Sequence, residues 1–293
     1  MSVARNLRVT LDMIKWEHSI FALPFALAGA MLAAGGLPTW RQLGWILVAM
    51  VAARSAAMAF NRLADHSLDA ANPRTRARAL PAGLLSRQFV GGFVVLSCAV
   101  FVLAAAELNR LALMLSPVAL AILLLYSYTK RFTRWSHLVL GVGLAIAPVG
   151  GYLAVAGRWS QPWWMLVALA IAVASWSGGF DILYALQDVE FDRAAALHSL
   201  PAAVGEWNAV RISRLLHTAT IAGLIVAGVA IGAGWLYGAG VAAVAGLLCY
   251  EHTLIHPNDL SRINAAFFTM NGIISVLFFA FVAADRLAAA YLR

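Results

Sequence analysis

The sequence predicts an all-α membrane protein with about nine transmembrane helices packed as one bundle. Three observations carry this expectation. Of 293 residues, 62% are hydrophobic and only 12% charged. Apolar runs recur at lengths close to the ~20 residues that a helix needs to cross a bilayer. These runs are unbroken and rich in Ala, Leu and Val, whereas a β-barrel would alternate over segments of ~10 residues. Short polar breaks and Gly or Pro place the spans at 19–36, 43–60, 89–106, 110–128, 137–156, 163–180, 212–232, 235–250 and 265–284. A single polytopic domain over 1–293 is expected.

Before the first span, Leu7, Leu11 and Ile14 fall on one helical stripe, with Arg5, Arg8 and Lys15 around the remainder. That pattern suits a short helix in the membrane interface. No cleavable export signal is expected, because the first apolar segment is too long and lacks a cleavage site, so the first span serves as its own insertion signal. Cys98 and Cys249 lie in separate spans without a Cys-x-x-Cys partner, which indicates neither a disulfide framework nor a zinc site.

The net charge of +8 is read loop by loop rather than as a nucleic-acid signature. With the N-terminus inside, the tail, 61–88, 129–136, 181–214 and 251–264 hold fifteen of the 21 Lys and Arg. The outer segments hold Arg41, Arg110, Arg158, Arg286 and Arg293, and Arg54 lies within a span. The expected placement is therefore the inner (cytoplasmic) membrane, with the N-terminus cytoplasmic and the C-terminus external.

On that topology the second and sixth spans both end inside, and each runs into an acidic cluster: Asn61, Asp65 and Asp69, then Asp181, Asp188 and Asp192. Asp and Glu number only 13, so this gathering at two helix ends points to a site. Steps of four return to one helical face, which makes Asn61, Asp65 and Asp69 a column if the helix continues through them. Asp181, Tyr184, Asp188 and Asp192, spaced by three and four, make a second. Hard oxygens in such columns suit Mg²⁺, which binds one or two carboxylates plus waters and substrate phosphates. Arg74 and Arg78 follow the first cluster, and Lys130 and Arg131 open another inner loop. Such side chains grip phosphate oxygens and stabilise a departing pyrophosphate. Asp65 to Asp188 and Asp69 to Asp192 share an offset of 123 residues, the mark of a possible internal four-helix repeat.

The string N-R-x-x-D-x-x-x-D-x-x-N-P-R-T-x-x-R over 61–78, followed by D-x-x-Y-x-x-Q-D-x-x-x-D over 181–192, resembles the paired signatures of the UbiA-type intramembrane prenyltransferases. The segments 14–27 and 259–279 resemble the 4-hydroxybenzoate polyprenyltransferase-like bacterial branch. The resemblance implies a helical bundle around a central cavity, capped by cytoplasmic loops and open laterally to membrane lipid. It also implies Mg²⁺-dependent transfer of a polyprenyl group from its diphosphate to an aromatic quinone precursor, 4-hydroxybenzoate or a dihydroxynaphthoate, in ubiquinone or menaquinone biosynthesis. On this reading Asn61, Asp65, Asp69, Asp188 and Asp192 hold the metal, and Arg74, Arg78, Lys130 and Arg131 hold phosphate. Tyr184 shields the allylic cation by its π face or hydrogen-bonds a phosphate, and Asp181 orients a basic group or takes the ring proton. The pattern departs from the family at Ala79–Leu80, where Pro-Leu is common, and at Ala196, where glycine is frequent. Lys15, Glu17 and His18 stand where several relatives carry an arginine near the acceptor.

Two other functions compete. One is the same enzyme class with a haem, chlorophyll or lipid precursor as acceptor. The other is a transporter, which the acids' position at span ends beside arginines disfavours. His66, His198 and His252 are expected as solvent-facing or capping residues, the tryptophans near span ends as interfacial anchors, and Gly141, Gly143, Gly150, Gly151, Gly178 and Gly179 as points of close helix packing.

Overall fold

A computed structural model describes residues 3–14 and 19–291. Lys15, Trp16, Glu17 and His18, for which roles were expected, lie outside the described residues. The helices are α1 (Val3–Ile14), α2 (Ser19–Ala34), α3 (Trp40–Ala64), α4 (His66–Ala71), α5 (Arg87–Leu108), α6 (Arg110–Thr129), α7 (Ser136–Ala156) and α8 (Trp164–Tyr184). They continue as α9 (Val189–Ala194), α10 (Leu200–Val204), α11 (Glu206–Ala230), α12 (Trp235–Leu254) and α13 (Asn271–Tyr291). A 3₁₀ turn over Ala185–Asp188 joins α8 to α9, and a π-helical turn over Ala265–Met270 leads into α13.

Each expected span falls on one long helix. Among the described residues, 7 helical stretches are long and apolar enough to cross a membrane. The other two long helices are α2, of 16 residues, and α12, whose glycines and polar final turn (Tyr250, Glu251, His252, Thr253) dilute its hydropathy. The protein is thus a multi-pass membrane protein. Helix α3 runs past residue 60 to Ala64 and α8 past residue 180 to Tyr184, so polar side chains ride on the ends of membrane helices.

Local chemistry sets the ends. Thr39 and Gln42 form a reciprocal capping box at the start of α3: Thr39 Oγ1 accepts from Gln42 N at 3.3 Å and Gln42 Oε1 from Thr39 N at 3.0 Å. Asn109 caps α6 through Ala112 N at 2.9 Å, and its Nδ2 donates to Leu153 O and Ala154 O at the end of α7. Helix α8 is the axis of the bundle, packed by α7 and α11. Its Leu169, Val173, Trp176 and Phe180 meet Phe21 and Phe25 of α2, Leu224 of α11, Val244 of α12 and Phe278 of α13. Val95, Leu215 and Val229 turn outward instead, to the lipid.

Lipid tails are as apolar as leucine, so contact between membrane helices rests on close van der Waals packing. Helices α2 and α7 achieve it reciprocally. A Cβ on Gly151 would stand 2.0 Å from Ala26 O, and one on Gly29 would stand 2.0 Å from Pro148 O. Of the other glycines expected to serve packing, Gly150 has open space beside it. Trp40, Trp163 and Trp235 are exposed at helix starts, as expected of anchors. Helix α1 differs in detail from its expected stripe: Met13 and Ile14 bury against Ala59, Leu80, Leu85 and Val90, while Leu11 is exposed. His252 is also not a solvent-facing cap, because its Nε2 lies 2.9 Å from Nδ1 of buried His217.

Candidate active site

The two acidic segments share one local form. Helix α3 breaks at Asp65 (φ −94°, ψ 9°) and resumes as the six-residue α4. The chain after α8 reaches Asp188 (φ −107°, ψ 6°) and resumes as the six-residue α9. The break leaves the first column nearly continuous, since Asp65 N donates to Asn61 O and Asp69 N to Asp65 O. The second column is interrupted by the 3₁₀ turn over Ala185–Asp188, which follows the helix that carries Asp181.

Both segments reach one cavity of about 1300 Å³. Asn61, Asp65, Asp69, Arg74, Arg78, Lys130, Asp181, Tyr184, Asp188 and Asp192 all line it, together with a long apolar wall from α3, α6 and α7. The segments also bond to each other. Arg74 forks onto Asp188, with Nε donating to Oδ1 at 2.9 Å and Nη2 to Oδ2 at 2.5 Å. Asn72 Nδ2 donates to the same Oδ1 at 3.3 Å, while Asn72 Oδ1 accepts from Arg74 N and shapes the loop that carries the guanidinium. Burial works to lower the Arg74 pKa, but the hydrogen bond and charge of Asp188 outweigh it and raise it, so the fork is permanently charged.

Every other acid of the site has its own surroundings. Asp65 is buried and accepts from Lys130 Nζ at 2.7 Å, Asn61 Nδ2 at 3.1 Å and Arg131 Nη2 at 3.3 Å. Arg131 also donates to Ala64 O and lies over the Tyr128 ring. It stands behind Asp65 and does not line the cavity. Asp69 Oδ1 accepts from Arg78 Nη1 at 2.7 Å. Its Oδ2 is buried, accepts no hydrogen bond and stands 3.6 Å from Arg62 Nη1. Asp192 forms no ion pair among the described residues.

Asp181 has a partner that the sequence reading missed. His137, at the start of α7, places Nδ1 2.7 Å from Asp181 Oδ2, and its Nε2 accepts from Leu200 N at 3.4 Å. The backbone donor fixes the tautomer, so Nδ1 carries the proton and donates to the carboxylate. Arg62 and Asn72 were within the recognised string but carried no assigned role. His137 had no comparable signal, lying 44 residues from Asp181 on a different helix.

Among the described residues no three His, Cys, Asp or Glu side chains converge as a closed metal cage. Mg²⁺ does not require one, since it keeps waters and completes its shell with substrate phosphate. Asp69 Oδ2, which accepts no hydrogen bond, and the all-oxygen donor set fit such an ion.

The profile of the UbiA prenyltransferase family matches residues 22–273. The chain is 30% identical over 276 residues to a 4-hydroxybenzoate octaprenyltransferase of Shewanella sediminis, covering 92% of this chain and 94% of that protein. It superposes on the apo structure of a UbiA homolog from Aeropyrum pernix K1 with TM-score 0.83 and 33% identity, over 92% of this chain and 98% of that one. A UbiA homolog from Archaeoglobus fulgidus, solved with DMAPP and Mg²⁺, shares the fold with TM-score 0.71 at 17% identity, over 95% and 99% of the two chains.

Proposed function

This chain belongs to the UbiA prenyltransferase family and is a membrane prenyltransferase; from that premise we propose that it moves a polyprenyl group from its diphosphate to 4-hydroxybenzoate or a closely related hydroxyaromatic acid, in quinone biosynthesis at the inner membrane. The observation that carries the reading is the Arg74 fork on Asp188, which ties the two acidic segments across one cavity. The acceptor choice rests on relatives named for 4-hydroxybenzoate. The N-terminus is assigned to the cytoplasm and the C-terminus to the outside, following the distribution of Lys and Arg.

Asn61, Asp65, Asp69, Asp188 and Asp192 would hold Mg²⁺, which supplies positive charge to the diphosphate. In the described form Lys130, Arg78 and Arg74 each neutralise a carboxylate. When the diphosphate enters, these cations turn from carboxylate to phosphate oxygens, an exchange of one anion for another that keeps the buried charges paired. Arg131, behind Asp65, keeps that carboxylate fixed while Lys130 moves. The C1–O bond breaks with its electron pair leaving on the diphosphate, and an allylic cation remains in a cavity with an apolar wall. Tyr184, beneath the Arg74 guanidinium, offers its ring to that cation. A carbon of the acceptor ring attacks C1, and the displaced ring proton passes to Asp181, whose carboxylate His137 orients.

The test is a panel of acceptors, 4-hydroxybenzoate against dihydroxynaphthoates, with radiolabelled polyprenyl diphosphate, with and without Mg²⁺, and mass analysis of the products. Prenylated 4-hydroxybenzoate formed only with Mg²⁺ supports the proposal. Exclusive prenylation of a naphthoate moves the enzyme to the menaquinone branch, and no prenylation of any aromatic acid overturns the acceptor class.

A further inference from the structure

Outside the cavity, a polar group is buried where α12 meets the start of α13. Glu251 is 1% exposed and Asn271 0%. A carboxyl group and an amide in a membrane-embedded interior are costly unless they do a job. Asn271 Nδ2 donates to Ala266 O at 3.2 Å and Phe267 O at 3.1 Å, and lies 3.4 Å from Glu251 Oε1. The two carbonyls belong to the π-helical turn over Ala265–Met270, whose wider winding disturbs the regular helical ladder. The amide therefore satisfies and fixes the turn, and the Glu251 carboxyl group fixes the amide.

The turn carries Phe267 and Phe268, consecutive residues that both line the cavity. Phe267 packs on Tyr184 with ring centroids 4.0 Å apart and meets Phe180 edge-on at 5.2 Å. Phe268 contacts Phe267 at 4.7 Å and stacks on Phe21 at 6.4 Å. Tyr184 lies under Arg74, which holds Asp188. A continuous set of contacts thus runs from Glu251 to the pole where the diphosphate is proposed to bind.

We propose that Asn271, braced by Glu251, is a positioning residue: it locks the π-helical turn so that Phe267 and Tyr184 form the aromatic wall that keeps water from the allylic cation. This rests on the functional reading above, and its consequence is a partition. The cation is captured by the acceptor ring, or by water, which adds at carbon and loses a proton to give the prenyl alcohol. A loosened wall favours water.

The experiment uses the purified full chain with radiolabelled geranyl diphosphate, Mg²⁺ and 4-hydroxybenzoate, and measures the ratio of free prenyl alcohol to prenylated acceptor, with melting temperature recorded alongside. Asn271→Ala and Phe267→Leu are expected to raise the ratio about tenfold, the size of a lost desolvated ring contact. Glu251→Gln, which keeps an oxygen to accept from Asn271, is expected to stay within about twofold of wild type on the same scale. Glu251→Ala carries the same expectation as Asn271→Ala and replaces it if that variant does not fold. An unchanged ratio in Phe267→Leu and in the folded member of that pair overturns the inference while leaving transfer itself intact. A Glu251→Gln ratio as high as that of Asn271→Ala also overturns it. A wild-type protein that consumes no geranyl diphosphate removes the functional reading and this inference together.

Discussion

Replacing Arg74 with lysine keeps the charge and removes the fork. The guanidinium makes two hydrogen bonds to Asp188, at 2.9 and 2.5 Å, and an ammonium on a flexible stem supplies one at best. A charge-assisted bond contributes ~1.5–3 kcal/mol when well buried. The Arg74 side chain is 35% exposed and Asp188 20%, so solvent screening reduces the loss to about 1–2 kcal/mol. The same planar geometry serves a phosphate once the substrate enters, so the loss should persist along the reaction. Arg74→Lys is therefore expected to lower kcat/KM for the prenyl diphosphate by roughly 5–30-fold, and Arg74→Ala by ~10²–10³-fold because the diphosphate then loses the whole cation. The assay is initial rate against prenyl diphosphate at saturating acceptor. An Arg74→Lys enzyme within about twofold of wild type, or one altered only in its KM for the acceptor, refutes the reasoning.

Further outcomes follow from the same geometry. His137→Ala should lower kcat by about 10–100-fold with little change in the KM for prenyl diphosphate, because Asp181 loses the donor that orients it; initial rates at varied prenyl diphosphate read this. Gly151→Ala should destabilise the fold by several kcal/mol or prevent its accumulation, since the added methyl meets a backbone carbonyl that cannot move aside; thermal unfolding in detergent reads this. Ala196 adopts φ +52°, so Ala196→Gly should stabilise the protein by about 0.5–1 kcal/mol, relief of left-handed strain partly offset by the freer unfolded chain.

The sequence made the long helices legible because each apolar run had to be about a bilayer thick, and hydropathy reports that directly. Its boundaries failed at the inner ends: α3 continues to Ala64 and α8 to Tyr184, where polar side chains face a cavity rather than mark a stop. The acid columns were legible from spacing, and their meeting from the topology. The surroundings of Asp181 were not, because its partner His137 comes from another helix. Arg131 looked equivalent to its neighbour Lys130. One residue on the turn after α6 sends Lys130 into the cavity and Arg131 behind Asp65. Ala196 was visible as a departure from a frequent glycine, and its positive φ supplies the physical reason that glycine suits the position.

The account stands on one anion being held by both acidic segments. A double-mutant cycle on the affinity for prenyl diphosphate with Mg²⁺, comparing Asp69→Asn, Asp192→Asn and the pair, tests it most directly. If both carboxylates act on one bound diphosphate, the double variant binds scarcely more weakly than the worse single, with a coupling of at least about 1 kcal/mol. Strictly additive losses would mean two independent sites and would contradict the shared cavity as the place of chemistry.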